Sequence, residues 1–117
     1  MLISKLKSKI HRARITQCNV NYDGSLGIDA SFMELSGIHE YEKILIANLS
    51  NGQRFETYAI KEKKGSKTIS LNGAAARLGE EGDLIIILSF GLFDQEKADS
   101  FKPKVIFMDE HNNPKVQ

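Results

Sequence analysis

The chain has 117 residues, 41% hydrophobic and 26% charged, a balance that supports one compact domain over residues 1–117 without disulfide staples. A net charge of +1 excludes a global electrostatic footprint for nucleic acid or acidic membrane, and the single Cys18 excludes an intramolecular disulfide and points to a reducing compartment. A core of this size is modest, so oligomerisation is expected before any motif is read.

Lys5, Lys7, Lys9, Arg12 and Arg14 all precede the first acid, Asp23. They read as a solvated strand face or, alternatively, as a phosphate-binding arm. No apolar stretch here has the length of a signal peptide, and the run from Leu84 to Phe93 is shorter than the roughly 20 residues a membrane helix needs. A soluble, cytoplasmic protein is expected. Ile10 to Cys18 alternates loosely, with His11, Ala13 and Ile15 on one side and Arg12, Arg14 and Thr16 on the other.

Asn21-Tyr22-Asp23-Gly24 is turn chemistry, and Ser25 to Ile28 reads as a short strand. Asp29 is placed to cap a helix over Ala30 to Ser36 that Gly37 ends. Ile44 to Leu49 and Arg54 to Ile60 are strands joined at Asn51-Gly52, a strong hairpin signal. Thr68 to Leu71 is a further strand, followed by Asn72-Gly73 and three alanines. Asp83 to Phe90 is almost continuously aliphatic, as in a strand buried on both faces. A helical turn over Asp94 to Ser100, a last strand over Val105 to Met108 and a loose polar tail from Glu110 complete the chain. Short strands with little helix indicate a mainly β fold, a small barrel, with strand order left open.

Several chemistries drop out. His11, His39 and His111 are far apart with no ligand spacing, so no metal site is expected. Gly65-Ser66-Lys67-Thr68 lacks the first glycine and the Gly-Lys pair of a phosphate loop and reads as an exposed turn. Gly24-Ser25 does not supply the Gly-x-Ser-x-Gly of a hydrolase elbow.

Four segments carry more information together. They are Lys9-Ile10-His11-Arg12, Tyr22-Asp23-Gly24-Ser25, Asn51-Gly52-x-Arg54-Phe55-x-Thr57-Tyr58-Ala59-Ile60, and Asn72-Gly73-Ala74-Ala75-Ala76 followed by Gly82-Asp83. In order and spacing they resemble the bacterial aspartate 1-decarboxylase family, over the chain up to about Val105. The resemblance implies a six-stranded double-psi β-barrel with short helices, assembled as a homotetramer. It implies self-cleavage between Gly24 and Ser25 into a chain of residues 1–24 and a larger one of 25–117, with or without a maturation factor. The cofactor it implies is a covalent pyruvoyl group made from Ser25, with neither metal nor pyridoxal phosphate. The implied reaction takes L-aspartate to β-alanine and carbon dioxide through a Schiff base, for pantothenate and coenzyme A synthesis.

The residue types suit this chemistry. A serine hydroxyl can attack the preceding carbonyl and later leave its own β-carbon, and Gly24 offers no side chain to block attack while tolerating positive φ. The resemblance assigns Tyr58 as proton donor, a phenol protonated at neutral pH. It assigns Lys9, Arg54 and Thr57 to substrate binding, and a guanidinium suits bidentate capture of a carboxylate. Asn72, Gly73, Ala74 and Ala75 would expose backbone N–H groups to a second carboxylate. His11 and Tyr22 would line the pocket near the cut. Thr57 and Tyr58 are strand neighbours and should face opposite ways, which a site shared between subunits resolves. Ala47 stands where some family members carry tryptophan, a departure that touches pocket shape. The alternative reading is a small β-barrel that binds RNA through its basic first strand.

Overall fold

The computed structural model describes residues 1–116, so Gln117 at the end of the polar tail lies outside the described residues. β1 (Leu2–Arg14) buries Ser8, Ile10 and then Ala13, because an extra residue enters at Arg12, whose φ of 67° is left-handed. Such a bulge shifts the phase of a strand. The expected face of His11, Ala13 and Ile15 therefore breaks: Ala13 and Ile15 are buried with Ile10, while His11 stays half-buried on the other side. The strand expected over Ile10 to Cys18 is in fact two, since β1 stops at Arg14 and a separate β2 (Gln17–Asn19) follows.

β3 (Ser25–Asp29) is buried along its whole length. Asp29 caps α1 (Ala30–Ser36) by accepting from Ser31 N–H, and Gly37, at φ 76°, closes it by donating to Met33 O, as expected from local sequence. β4 (Lys43–Asn48) and β5 (Arg54–Glu62) form the expected hairpin, with Gly52 at φ 78° in its turn. β6 (Ile69–Asn72) runs directly into a 3-10 helix (Gly73–Leu78).

β7 (Leu84–Asp94) is not buried on both faces. Ile85, Ile87 and Ser89 point into the core, whereas Leu84, Ile86 and Leu88 are half-buried and Phe90 and Leu92 are exposed. After α2 (Gln95–Ala98), β8 (Lys104–Met108) pairs parallel with β1. The tail is not loose through Val116: β9 (Pro114–Val116) pairs with β8, and buried Asn112 ties it down by accepting from Arg14 N–H and donating to Arg14 O.

The described residues are thus mainly β, nine strands in one mixed sheet ordered β2-β6-β3-β5-β4-β7-β1-β8-β9, against the six expected, with β2 and β9 short strands of three residues each. The sheet rolls up. β1 and β6 are far apart in that order, yet Thr16, just past β1, donates its N–H to Ile69 O (2.8 Å), and its hydroxyl accepts from Ile69 N–H (2.9 Å). Inside lie Ile10, Leu26, Ile46, Leu71, Ile87 and Ile106, with Phe32 of α1. Among the described residues, no helix is long and apolar enough to cross a membrane.

Candidate active site

β3 lies between β5, parallel, and β6, antiparallel, so Ser25 at its start pairs with Asn72 at the end of β6. Leu26 pairs with Ala59, which sets Tyr58 level with Ser25. The turn before β3 is built locally: Asn19 Oδ1 accepts from Asn21 N–H at 3.0 Å. Gly24 itself is exposed, whereas Ser25 is only 1% exposed. Ser25 Oγ donates to Asp23 O (3.3 Å) and accepts from Asn72 Nδ2 (3.2 Å).

Gly73 is clamped against this turn. A Cβ on it would sit 2.5 Å from Gly24 Cα, 2.6 Å from Gly24 N and 2.9 Å from Tyr22 O. Its φ is 64°. The left-handed glycine at the site is Gly73 rather than Gly24, because it is Gly73 that must turn from β6 into the helix while touching backbone. Asn72, at the helix start, makes no side-chain cap and spends its amide on Ser25 instead. Ala74 is exposed and Ala75 buried.

An open depression of about 500 Å³ is lined by Asn21, Tyr22, Asp23, Ser25, Tyr41, Tyr58, Ile60 and Asn72. Tyr22, Ser25, Tyr58 and Asn72 were expected there. Tyr41, Asn21 and Ile60 were not: Tyr41 arrives from the loop before β4, held by its N–H on Ala59 O (2.7 Å), with its ring 6.4 Å from that of Tyr58. Ser70, behind Asn72, was also missed, although strand alternation puts positions 70 and 72 on one face.

The cationic residues lie elsewhere in the single chain. His11 pairs with Ile86, Ile86 with Ala47 and Ala47 with Arg54, one row across β1, β7, β4 and β5; Lys9, Leu88, Leu45 and Glu56 form the next. None of Lys9, His11, Arg54 and Thr57 lines the Ser25 depression. Thr57 is half-buried on the face of β5 opposite Tyr58, next to core residue Ala59. Among the described residues Arg54 and Lys9 make no ion pair, while neighbouring Lys43 holds Glu56 at 2.7 Å. Burial, reinforced by the Lys9 and Arg12 cations, lowers the His11 pKa, so its imidazole is neutral at pH 7; among the described residues its buried Nδ1 has no hydrogen-bond partner.

The basic strand is not a free arm. Lys7 pairs with Glu42 at 2.7 Å, and Arg14 donates to Glu110 O (3.0 Å) and Gly82 O (2.8 Å). These contacts weigh against RNA binding, since a phosphate would have to displace them. Among the described residues, no cluster of His, Cys, Asp or Glu could hold a metal ion.

Comparison with known proteins bears on the same chain from another side. The family described as aspartate decarboxylase matches residues 1–115, past the limit near Val105 reached from the motifs. Aspartate 1-decarboxylase of Thermoanaerobacter pseudethanolicus is 55% identical over 109 residues, covering 93% of each chain. The enzymes of that name from Acetivibrio thermocellus and Campylobacter jejuni are 55% and 52% identical, each over 96% of this chain and 89% and 88% of their own. With Ser25 of the Gly24-Ser25 pair buried beside Asn72 and Tyr58, and with identity of this extent, the chain belongs to the aspartate decarboxylase family.

Proposed function

We propose that this chain cuts itself between Gly24 and Ser25 and, so matured, decarboxylates L-aspartate to β-alanine and carbon dioxide, feeding pantothenate and coenzyme A synthesis. The observation that carries the cut is a buried serine hydroxyl at the start of β3, directly after an exposed glycine on which Gly73 is clamped. Ser25 Oγ attacks the Gly24 carbonyl carbon, and the Gly24–Ser25 C–N bond breaks to give an ester and a free Ser25 amine. Loss of the Ser25 Cα proton expels the Gly24 carboxylate from Cβ. The dehydroalanine left behind takes up water and releases ammonia, leaving a pyruvoyl group on residue 25. Asn72 Nδ2 donates to Ser25 Oγ, the oxygen that takes up charge as the Gly24 carboxylate departs from Cβ.

The surroundings fit a ketone at position 25. The residues lining the depression carry no amine that would condense with it. When present, the pyruvoyl group supplies the electron sink that withdraws the pair left by carbon dioxide. The chain's own residues do the rest. Arg54 grips a substrate carboxylate with its planar fork and Lys9 adds a second cation. Backbone N–H groups at Gly73, Ala74 and Ala75 offer donors to the other carboxylate. Thr57 supports the cleavage intermediate and contacts substrate, and Tyr58 returns a proton to carbon. His11 and Tyr22 position groups around the cut.

Lys9 and His11 on β1 and Arg54 on β5 share one outer face, and none of the three lines the Ser25 depression. A homotetramer in which one copy's cationic row meets another's Ser25 depression reconciles the two, and also gives Thr57 and Tyr58 a common site. Apolar Phe90 and Leu92, exposed on β7 at 47% and 70%, supply surface for such assembly. We read the rolled sheet as a closed double-psi barrel and the chain as one domain, resident in the cytoplasm. A free thiol at Cys18 is at home in that reducing compartment.

Intact-mass analysis of purified protein tests the proposal. The expected result is two pieces, Met1 to Gly24 and a larger one beginning at residue 25, which lacks a free amine and reacts with phenylhydrazine. A single uncleaved chain after long incubation, without aspartate decarboxylation, would overturn it.

A further inference from the structure

Behind Ser25 runs a chain of hydrogen bonds with a defined direction, buried in its middle and reaching the surface at Gln17. Ser70 Oγ, on a residue 1% exposed, accepts from Gln17 Nε2 at 3.1 Å and donates to Asn72 Oδ1 at 2.7 Å. Asn72 Nδ2 donates to Ser25 Oγ at 3.2 Å, and Ser25 Oγ donates to Asp23 O at 3.3 Å. β2 lies parallel to β6 with Gln17 opposite Ser70, which holds the outermost member in register.

The direction is decided at one end. A peptide carbonyl only accepts, so Ser25 spends its single proton on Asp23 O and can only accept from Asn72. Asn72 must then present its NH2 to Ser25 and its oxygen to Ser70. Ser70 must give its own proton to that oxygen, and only a donor fits behind it, which the Gln17 amide supplies. The reversed sequence breaks that bond: if Ser70 donates outward to residue 17, the Asn72 amide turns half a revolution and aims its oxygen at Ser25, which must then give its proton to Asn72 instead of Asp23 O. An N–H aimed at Oγ stabilises the charge that this oxygen takes up when the Gly24 carboxylate departs and the chain parts, whereas an acceptor there opposes it.

We propose that Gln17 and Ser70 are positioning residues for self-cleavage, which fix the Asn72 amide with its NH2 toward Ser25. The proposal rests on the reading that the chain cuts itself at Gly24-Ser25. Ser25's hydroxyl is the group acted on, and Gln17 and Ser70 act only through Asn72. Gln17 is exposed, so it can be replaced without disturbing the core.

The test follows cleavage of freshly purified precursor by intact mass across a pH series, for wild type, Gln17→Glu and Ser70→Ala, with thermal unfolding as a check on folding. An ionised carboxylate at position 17 draws the Ser70 proton outward, so Gln17→Glu should cleave about tenfold more slowly than wild type at pH near 8, a part of the loss typical for one oxyanion donor. Once protonated, that carboxyl can donate again. Its rate relative to wild type should therefore recover as pH falls toward about 4.3, the ordinary glutamate range. Ser70→Ala should be slowed about as much, with no such recovery. A merely structural role would not produce this pH-dependent ratio. Gln17→Glu matching wild type at pH near 8, or slowed equally at every pH, would overturn the relay. Wild type that never cleaves would instead overturn the parent reading, and the relay with it.

Discussion

Ser25 and Asp29 stand at opposite ends of one five-residue strand, both buried, and the fold treats their polar atoms in opposite ways. Asp29 Oδ1 accepts from Ser31 N–H and Ser31 Oγ, both at 2.7 Å, and from Gly65 N–H at 3.1 Å, while Oδ2 accepts from Lys67 N–H at 2.7 Å. Burial, the largest single influence on its pKa, pushes it up, but these hydrogen bonds together hold it below the ordinary carboxylate range. Ser25 Oγ has two long bonds and no ion pair. The saturated end freezes the start of α1 and the turn before β6. The under-saturated end leaves a hydroxyl that can move toward a neighbouring carbonyl. Burial of a polar group does not by itself mark chemistry; how tightly the group is satisfied separates scaffold from site.

Removing the Ser25 hydroxyl should have the largest effect. Ser25→Ala should abolish cleavage and aspartate decarboxylation, yet fold with a stability change of only about 1 kcal/mol, since two long hydrogen bonds are lost. Intact mass and a denaturation curve check both halves, and any cleaved Ser25→Ala protein would end the pyruvoyl argument. Next comes Gly73→Ala, where a Cβ must displace Gly24 backbone and adopt positive φ. A loss of about 2–4 kcal/mol is expected, with slowed cleavage. Gly24→Ala is the control: a Cβ there meets nothing within 4 Å, so its stability should change by under about 1 kcal/mol. Equal penalties at the two glycines would refute the clamp.

The Asp29 end should respond in stability alone. Asp29→Asn keeps one acceptor oxygen but sets an NH2 against a backbone N–H, costing about 2 kcal/mol at neutral pH. Because the folded pKa is depressed, the carboxylate's stabilisation is complete above the unfolded value near 3.9 and is lost as pH falls through the folded value. The stability gap between wild type and Asp29→Asn should therefore narrow on acidification below about pH 4. Denaturant titrations at several pH values measure it, and a pH-independent gap would show that the ionised form is not what matters.

The two ends also differ in how legible they were. Asp29 as a helix cap, Gly37 and Asn51-Gly52 act through bonds to residues a few positions away, so those roles could be read from sequence, whereas the Asp29 bonds to Gly65 and Lys67 could not. The Arg12 bulge, the Asn112 anchor and the turn at Gly73 answer to residues far along the chain, which periodicity does not see. Ser25, Tyr58 and Asn72 stood out only through resemblance, because parallel pairing of β3 with β5 is what sets the first two side by side. Tyr41 and Gln17 carried no local signal; topology alone brings them in.

Arg54→Lys should give the smallest effect and divide the Ser25 end's two tasks. Arg54 is exposed at the start of β5, in the row with Ala47, Ile86 and His11, and does not line the Ser25 depression. Self-cleavage draws on groups around Gly24, Ser25 and Asn72, so the variant should cleave at the wild-type rate with stability changed by under about 0.5 kcal/mol. Turnover is another matter. Lysine keeps the charge but not the planar fork, so kcat/KM for aspartate should fall about tenfold, near 1.4 kcal/mol in the barrier. Slowed cleavage would tie Arg54 to the cut and merge two functions held apart here. Wild-type kinetics would remove it from the substrate contacts and leave Lys9 as the cation to test. Loss of turnover with cleavage intact would instead mean that a buried, weakly held hydroxyl makes the cofactor, while an exposed guanidinium on the outer sheet face serves only the substrate.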